Sequence, residues 1–243
     1  MREVARNMRL DKFLANLQIG TRSQVKDFIK KGLVTVNDET ITKADFKVNE
    51  SLDTVTCKGT TLSYQKYRYF LLHKPAGVVT ATRDHHDKTV MDLLPKELHA
   101  DFFPVGRLDK DTEGFLLITN DGALSHQLLS PKKHVAKTYY VECQGVLTSQ
   151  KIQLLENGVN IGDEKPTLPA IVKEISKEAD SYVIHLTITE GRFHQVKRMI
   201  QAIGGEVTYL KRLSMGGLSL DETLEKGSYR ELSLDEIAVL SNS

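Results

Sequence analysis

Cysteine is scarce in this chain, whose 243 residues contain two, Cys57 and Cys143. They stand far apart and in no Cys-x-x-Cys pair, so the sequence indicates neither a zinc site nor a disulfide framework, and we expect both to be small packing residues. Long hydrophobic runs are missing too. No stretch approaches the length of a membrane span, and the segment from Met1 to Arg9 is polar rather than a signal peptide, which predicts a cytoplasmic protein with no membrane partner.

Phosphate-binding glycine motifs are also missing, since the chain has neither Gly-x-Gly-x-x-Gly nor Gly-x-x-x-x-Gly-Lys. Neither a dinucleotide nor ATP is therefore implied. The pair His85-His86 between Asp84 and Asp87 invites a metal interpretation. Adjacent side chains point apart in most backbones, and no further ligand motif accompanies them. We expect no metal and no cofactor.

Charge is present in ordinary amounts but is divided unevenly along the chain. Residues 1 to 68 contain thirteen Lys or Arg against eight Asp or Glu, whereas the remainder contains twenty against twenty-four. The short basic part suggests a nucleic-acid-binding module joined to another domain. Surface lysines that merely aid solubility would explain the same imbalance.

The basic part reads as two helices followed by short strands. Leu10, Phe13, Leu14 and Leu17 form one apolar helix face in a helix that should run to Gly20. A second helix should begin after a cap at Thr21 or Ser23 and end at Gly32. On its exposed side the spacing of four predicts a basic stripe, the candidate RNA-contacting residues Arg22, Lys26 and Lys30.

From Tyr69 onward, apolar strands alternate with helices without a regular βαβ rhythm, which predicts an α+β domain with a mostly antiparallel sheet. The helices should cover 123 to 129 and 151 to 157. The strand candidates are 69 to 72, 77 to 80, 115 to 119, 138 to 143, 170 to 175 and 182 to 189.

An acidic residue follows an arginine by two positions in the run Gly106-Arg107-Leu108-Asp109. Strand-like geometry would place Arg107 and Asp109 on one side, where the guanidinium would keep Asp109 ionised and available as a nucleophile. A structural ion pair at a strand entrance explains the same two residues.

A second cationic cluster follows Gly191, where a strand ends and a helix begins that should run toward Gly204-Gly205. Cations near a helix N-terminus oppose the local dipole, so an anionic ligand is a natural explanation, although a solvated charged face would also explain them. The spacing predicts that Phe193, Val196, Ile200 and Ile203 face the core and that His194, Lys197, Arg198 and Gln201 occupy the other side.

Two tyrosines lie side by side in the strand Lys137-Thr138-Tyr139-Tyr140-Val141. Because neighbouring strand residues point to opposite faces, one ring should face the interior or a cleft and the other should face away. A tyrosine ring can stack on a nucleic-acid base, and it can equally be ordinary core packing.

The chain resembles the RsuA-type pseudouridine synthases in three separate segments, which read GRLDKDTEGFLLITNDG, HVAKTYYV and EGRFHQVKRMIQAIGG. Its opening resembles the small RNA-binding domain typified by ribosomal small-subunit protein four, over MRLDKFLANLQIGTRSQVKDFIKKGLVTVN. The resemblance covers about Met8 to Ile237. It implies an N-terminal RNA-binding domain of two helices and a short sheet at 8 to 62, a linker at 63 to 68, and a catalytic domain with a mostly antiparallel mixed sheet at 69 to 243.

The resemblance further implies that a uridine within RNA is isomerised to pseudouridine with no cofactor or metal. Asp109 matches the nucleophile, Tyr139 the residue that stacks on the target base, and Lys197 the basic position that pairs with the aspartate. Arg107 looks like the arginine that helps to fill the space of the flipped nucleotide. His194 and Arg198 are then neighbouring RNA contacts.

Within the family, the Lys-Thr-Tyr form and the EGRFHQVKR block look most like the enzyme that acts on one uridine of 16S ribosomal RNA. The resemblance therefore implies ribosomal RNA as the partner, 16S RNA of an assembling small subunit as the substrate, and a monomeric enzyme. Two alternatives stay open: the same reaction on 23S ribosomal RNA, and a non-catalytic RNA-binding factor in ribosome assembly.

Overall fold

The computed structural model describes residues 7 to 17, 19 to 50, 52 to 62 and 67 to 243. The chain forms two compact units, residues 1 to 66 and residues 67 to 243. Of the predicted linker, residues 63 to 66 lie outside the described ranges, and Arg68 is bound into the second unit through Asn120 and Glu231. No helix in the described ranges is long and apolar enough to cross a membrane.

The first unit contains the two predicted helices, α1 (Leu10–Asn16) and α2 (Arg22–Lys30). Thr21 caps α2, because its hydroxyl accepts from the Gln24 N–H while the Gln24 side chain accepts from the Thr21 N–H. Gly32 has a φ of 69°, the left-handed conformation that ends a helix. Both ends of α2 agree with the sequence prediction.

The strands of the first unit form two small sheets. One pairs β1 (Asn7–Arg9) with β4 (Lys47–Asn49), and the other has the order β3 (Glu39–Thr40), β2 (Val34–Val36), β5 (Val55–Cys57) and β6 (Thr60–Leu62). Apolar side chains of both helices and of these strands are buried together in one core. Helix α1 is shorter than predicted, since it ends at Asn16 rather than running to Gly20.

The second unit is built on one sheet of nine strands. They are β7 (Tyr69–Lys74), β8 (Phe103–Pro104), β9 (Glu113–Thr119), β10 (Lys137–Gln144), β11 (Ile171–Lys177), β12 (Ser181–Ile188), β13 (Glu206–Met215), β14 (Leu218–Ser219) and β15 (Tyr229–Glu231). The main order is β11-β12-β10-β13-β9-β7-β15, with β14 on β13 and β8 on β9. Strands β9 and β13 run parallel and the other neighbours antiparallel, which confirms the predicted α+β class with a mostly antiparallel sheet.

Both faces of the central strands are covered. Along β9, Phe115 and Leu117 belong to one hydrophobic cluster while Leu116 and Ile118 belong to another, as the alternation of side chains requires. Helices α3 (Gly122–Leu129) and α6 (Leu234–Ser241) contribute to the first cluster, and α4 (Ser149–Asn157) and α5 (Gln195–Ala202) to the second. The candidate site lies on the face that α5 covers.

Parts of this unit differ from the sequence predictions. Residues 77 to 80 form no strand and only an isolated bridge from Val79 to Thr89, because the segment is an irregular loop. The ten-residue strand β13 was not predicted at all, since its alternation of polar and apolar residues breaks at Leu210 and again at Lys211-Arg212. Phe193 was placed in the core but is 70% exposed, because α5 begins only at Gln195 and the helical spacing does not extend back to it.

Candidate active site

Asp109 lies in the loop between β8 and β9, and this loop is fixed from beneath by buried polar groups. Thr80 donates its hydroxyl to the Leu108 carbonyl at 2.7 Å, and Lys74 donates its ammonium to the Thr112 carbonyl at 2.8 Å. Burial lowers the pKa of Lys74 to about 8. In the turn that follows, the Thr112 N–H donates to the Asp109 carbonyl at 3.1 Å. The backbone around Asp109 is therefore held in place on both sides of that residue.

The Asp109 carboxylate faces the imidazole of His194 and the ammonium of Lys197, both from the segment that opens α5. Its Oδ1 lies 3.5 Å from Nε2 of His194, and its Oδ2 lies 3.4 Å from Nζ of Lys197. Lys197 also donates to both carboxylate oxygens of Asp111, at 2.6 and 2.8 Å. This hydrogen bond lowers the pKa of Asp111. Lys197 is thus shared between two aspartates, and the second of them holds its ammonium beside Asp109.

Arg107 occupies a different position from the one that the strand argument predicts. Residues 107 to 109 belong to the loop and not to a strand, so a spacing of two does not force their side chains together. Arg107 is exposed and lines the same cleft as Asp109, but within the described ranges no ion pair joins the two. The charges beside Asp109 come from α5 instead.

Strand β10 forms the floor of the site. Lys137 and Tyr139 are buried on the cleft side, at 7% and 8% exposure. Tyr140 lies on the opposite face, where its hydroxyl donates to Glu142 and its ring packs edge-on against Tyr209. The prediction that the two tyrosine rings point in opposite directions is confirmed.

Two buried cations of this floor were missed at the level of sequence. Lys137 stands in the quoted Lys-Thr-Tyr segment but received no role, and its Nζ donates to the Val135 carbonyl at 2.8 Å. Its pKa falls to about 8, first through burial and then through repulsion by Arg212. Arg212 is only 2% exposed and lies in β13, the strand that the sequence did not reveal. No local motif marks Arg212.

The rim of the cleft is a loop held together by arginines. Arg192 donates to the carbonyls of Lys165 and Pro166 and pairs with Glu190. Arg198, which the resemblance assigns to RNA contact, donates to the carbonyls of Ile161 and Phe193 and pairs with Asp163. The hydrogen bonds of Arg198 therefore connect the start of α5 to the loop at residues 161 to 163.

Phe193 stacks on the ring of His194 at a centroid distance of 3.9 Å and an interplanar angle of 16°. His194 adopts a left-handed backbone conformation with φ of 48° directly before α5. This turn directs its imidazole toward Asp109 and leaves Phe193 exposed at the rim.

Together these elements enclose a cleft of about 450 Å³, within the usual range for a small-molecule site. It brings together five of the predicted site residues, which are Arg107, Asp109, Tyr139, His194 and Lys197. A fixed carboxylate can attack a flat polar ring that enters from solvent, a neighbouring ammonium and imidazole can hold it, and an aromatic ring can stack on it.

The predicted basic stripe belongs to the first unit. Arg22, Lys26 and Lys30 are exposed along α2 at intervals of four residues. Nearby in the same unit, the Lys58 ammonium lies 3.8 Å from the centroid of the Phe28 ring. Among the described residues no group of three or more His, Cys, Asp or Glu side chains is arranged for a metal ion.

Comparison with known proteins adds to this geometry. Residues 68 to 202 match the model of the RNA pseudouridylate synthase family, and residues 8 to 53 match the S4 domain.

Three relatives align over nearly the whole chain. An uncharacterized RNA pseudouridine synthase of Bacillus subtilis is 48% identical, covering 96% of this chain and 98% of the relative. The ribosomal small subunit pseudouridine synthase A of Vibrio cholerae is 40% identical, covering 95% and 98%. The ribosomal large subunit pseudouridine synthase B of Bacillus subtilis is 38% identical, covering 94% and 93%.

Proposed function

The chain belongs to the RNA pseudouridylate synthase family, as an RsuA-type member with an S4 domain, and we propose that it isomerises one uridine of 16S ribosomal RNA to pseudouridine with Asp109 as the nucleophile. The observation that carries this assignment is the Asp109 carboxylate, which lies between His194 and Lys197 in a cleft floored by Tyr139.

The target nucleotide must first leave the RNA stack, because a stacked base shields its own glycosidic bond. Extrusion of a base costs on the order of a few kcal/mol. Phosphate contacts from the exposed stripe Arg22, Lys26 and Lys30 offset part of that cost, since such contacts supply binding energy that does not depend on sequence. Arg107, exposed at the mouth of the cleft, occupies the space that the extruded nucleotide leaves.

Inside the cleft, the Tyr139 ring stacks on the base. Asp109 attacks the sugar or the base, the bond between C1′ and N1 breaks, and the uracil turns and rejoins through C5. Lys197 keeps positive charge beside the nucleophile at 3.4 Å, and its bonds to Asp111 hold the ammonium there. Arg192 and Arg198 act as positioning residues, because they hold the rim from which His194 projects.

Mapping with carbodiimide in a strain that lacks the gene tests both the chemistry and the substrate. We expect one pseudouridine of 16S RNA to disappear in the deletion, to return with the wild-type gene and to stay absent with Asp109→Asn. Asp101→Asn removes an exposed carboxylate outside the cleft and should restore the modification. A pseudouridine that persists in the deletion, or that returns with Asp109→Asn, contradicts the proposal.

The same map decides between the two ribosomal RNAs. The large-subunit relative is 38% identical and the small-subunit relative 40%, so a large-subunit substrate is the second candidate. A lost pseudouridine in 23S RNA would establish it. A deletion phenotype that Asp109→Asn rescues in full would instead favour a non-catalytic assembly factor.

The proposed partner is 16S RNA within an assembling small subunit, bound by a monomeric enzyme. Incubation of the purified protein with naked 16S RNA, partly assembled particles and complete subunits, all from the deletion strain, tests this. We expect the partly assembled particles to be modified fastest. The mass of the complex in light scattering should correspond to one copy of the protein per particle.

A further inference from the structure

Arg212 is a buried arginine that forms no ion pair with any carboxylate of the described residues. Its side chain is 2% exposed, and its Nε donates to the Phe115 carbonyl at 2.8 Å. Its Nη2 is buried and has no hydrogen-bond partner among the described residues, and no carboxylate of the described chain forms an ion pair with it. A buried guanidinium that lacks both an ion pair and an acceptor for one of its nitrogens is costly, so an acceptor that arrives with the substrate would stabilise it.

At Arg212 the backbones of β13 and β9 approach each other unusually closely. Strand β13 pairs in parallel with β9, where Arg212 is the partner of Gly114. A Cβ at Gly114 would lie 2.2 Å from the Arg212 carbonyl oxygen, and Gly114 has a φ of 106°. Only glycine allows β9 and β13 to approach this closely, so the backbone of Arg212 is held against β9 at Gly114.

Arg212 also lies next to the proposed base-stacking residue. In the antiparallel pairing of β10 and β13, Arg212 is the direct partner of Tyr139, and directly opposed side chains share one face of a sheet. Both line the cleft that contains Asp109. A base stacked on the Tyr139 ring therefore has the Arg212 guanidinium beside its edge.

We propose that Arg212 is a catalytic residue, which donates its Nη2–H to a carbonyl oxygen of the target base and stabilises the negative charge that the base acquires. This inference rests on the proposed function. When the bond between C1′ and N1 breaks, its electron pair stays on the base, whose charge spreads over N1 and the adjoining carbonyl oxygens. With Asp109 bonded to C1′, formation of the bond from C5 to C1′ breaks the bond from Asp109 to C1′ and returns its electron pair to the carboxylate. C5 then loses its proton and N1 gains one, so the base is neutral again and no other reactant is needed.

The alternative ligand for a buried guanidinium is a phosphate group of the RNA. The floor of the cleft favours the base, because the buried Arg212 stands opposite Tyr139, whereas Arg107, which is exposed and available to phosphates, lies at the mouth of the cleft. If Arg212 contacts a phosphate, its replacement should weaken RNA binding and reduce the salt dependence of that binding. If Arg212 contacts the base, its replacement should slow the reaction of bound RNA.

Single-turnover rates at saturating enzyme separate these outcomes, with 16S RNA from the deletion strain as substrate. We expect Arg212→Met to lower the rate at least about 100-fold, as for loss of one preorganised donor, while the RNA dissociation constant changes less than about threefold. Lys211→Met, which removes the neighbouring cation on the other face of β13, should keep the wild-type rate.

A wild-type rate in folded Arg212→Met, or a loss confined to RNA affinity and its salt slope, overturns the proposal. An inactive wild-type protein would instead contradict the proposed function itself.

Chemical rescue distinguishes a lost donor from a disturbed fold. In Arg212→Ala, millimolar guanidinium should restore part of the rate, whereas tetramethylammonium, a cation without donors, should not. Rescue by neither ion in a folded protein contradicts the proposed hydrogen bond.

A structure of the wild-type enzyme with its pseudouridine-containing product RNA needs no variant and remains decisive should the substitutions prevent folding. We expect a carbonyl oxygen of the product base within hydrogen-bond distance of Nη2 of Arg212. A guanidinium that contacts only phosphate or protein atoms would overturn the proposal.

Discussion

The two units of this protein use positive charge in opposite ways. The cations of α2 in the first unit, Arg22, Lys26 and Lys30, are exposed to solvent. Those on the floor of the cleft in the second unit, Lys137 and Arg212, are buried to 7% and 2% exposure and bound to backbone carbonyls. Exposed cations are flexible and attract any phosphate chain, whereas buried ones keep one position at the expense of desolvation. The first arrangement suits capture of RNA and the second suits chemistry on one base.

Lys197 is intermediate in exposure between these two groups of cations, with 26% of its side chain exposed. Its replacement therefore tests the comparison most strongly. Lys197→Met removes the cation that Asp109 and Asp111 share and leaves two carboxylates close to each other. We expect the single-turnover rate to fall by about 100-fold or more, with a smaller change in RNA affinity. Lys177→Met, at an exposed position of β11, is the matched control. A loss of RNA affinity equal to the loss of rate would show that Lys197 acts in RNA binding, as proposed for Arg22, Lys26 and Lys30, and not in the reaction.

Gly114→Ala disturbs the buried arrangement without changing any charge. The added methyl group would overlap the Arg212 carbonyl and strain a left-handed backbone. We expect the free energy of unfolding in urea to fall by more than about 2 kcal/mol, together with a loss of activity. Gly122→Ala at the start of α3 has open space and no positive φ, so it should be nearly neutral. Wild-type stability in Gly114→Ala would show that the two strands can move apart.

The smallest effect on catalysis should come from the exposed stripe. Arg22→Ala combined with Lys26→Ala should weaken RNA binding and flatten the dependence of its logarithm on the logarithm of salt concentration. The slope should change by roughly one unit for each lost phosphate contact. The rate of bound RNA should remain that of the wild type. An unchanged salt slope would remove α2 from the RNA interface.

Local structure was largely predictable where short-range chemistry fixes it. Helix α2 has both its capping threonine and its terminal glycine, so its ends follow from neighbouring residues. Strand β10 follows from its β-branched and aromatic residues, and the opposite directions of Tyr139 and Tyr140 follow from strand alternation.

Predictions failed where the outcome depended on distant partners. Phe193 fits a helical apolar face by spacing, yet His194 turns into the left-handed conformation before α5 begins. Arg198 lies on the polar side of α5 by spacing, and the sequence does not reveal that residues of the 161 to 163 loop accept its donors. Strand β13 has no strong local signal, and it is stabilised by β10 and β9 on either side.

The sequence by itself determined the family, the α+β class and the short elements, because these depend on residue types and on spacings of a few positions. Only the tertiary structure decided which charges meet. Lys197 reaches Asp111 across 86 residues of chain, and Arg212 comes to lie opposite Tyr139 through the register of two strands. Such contacts depend on how strands order and align within a sheet, and that order is set by burial of the whole core rather than by any local pattern.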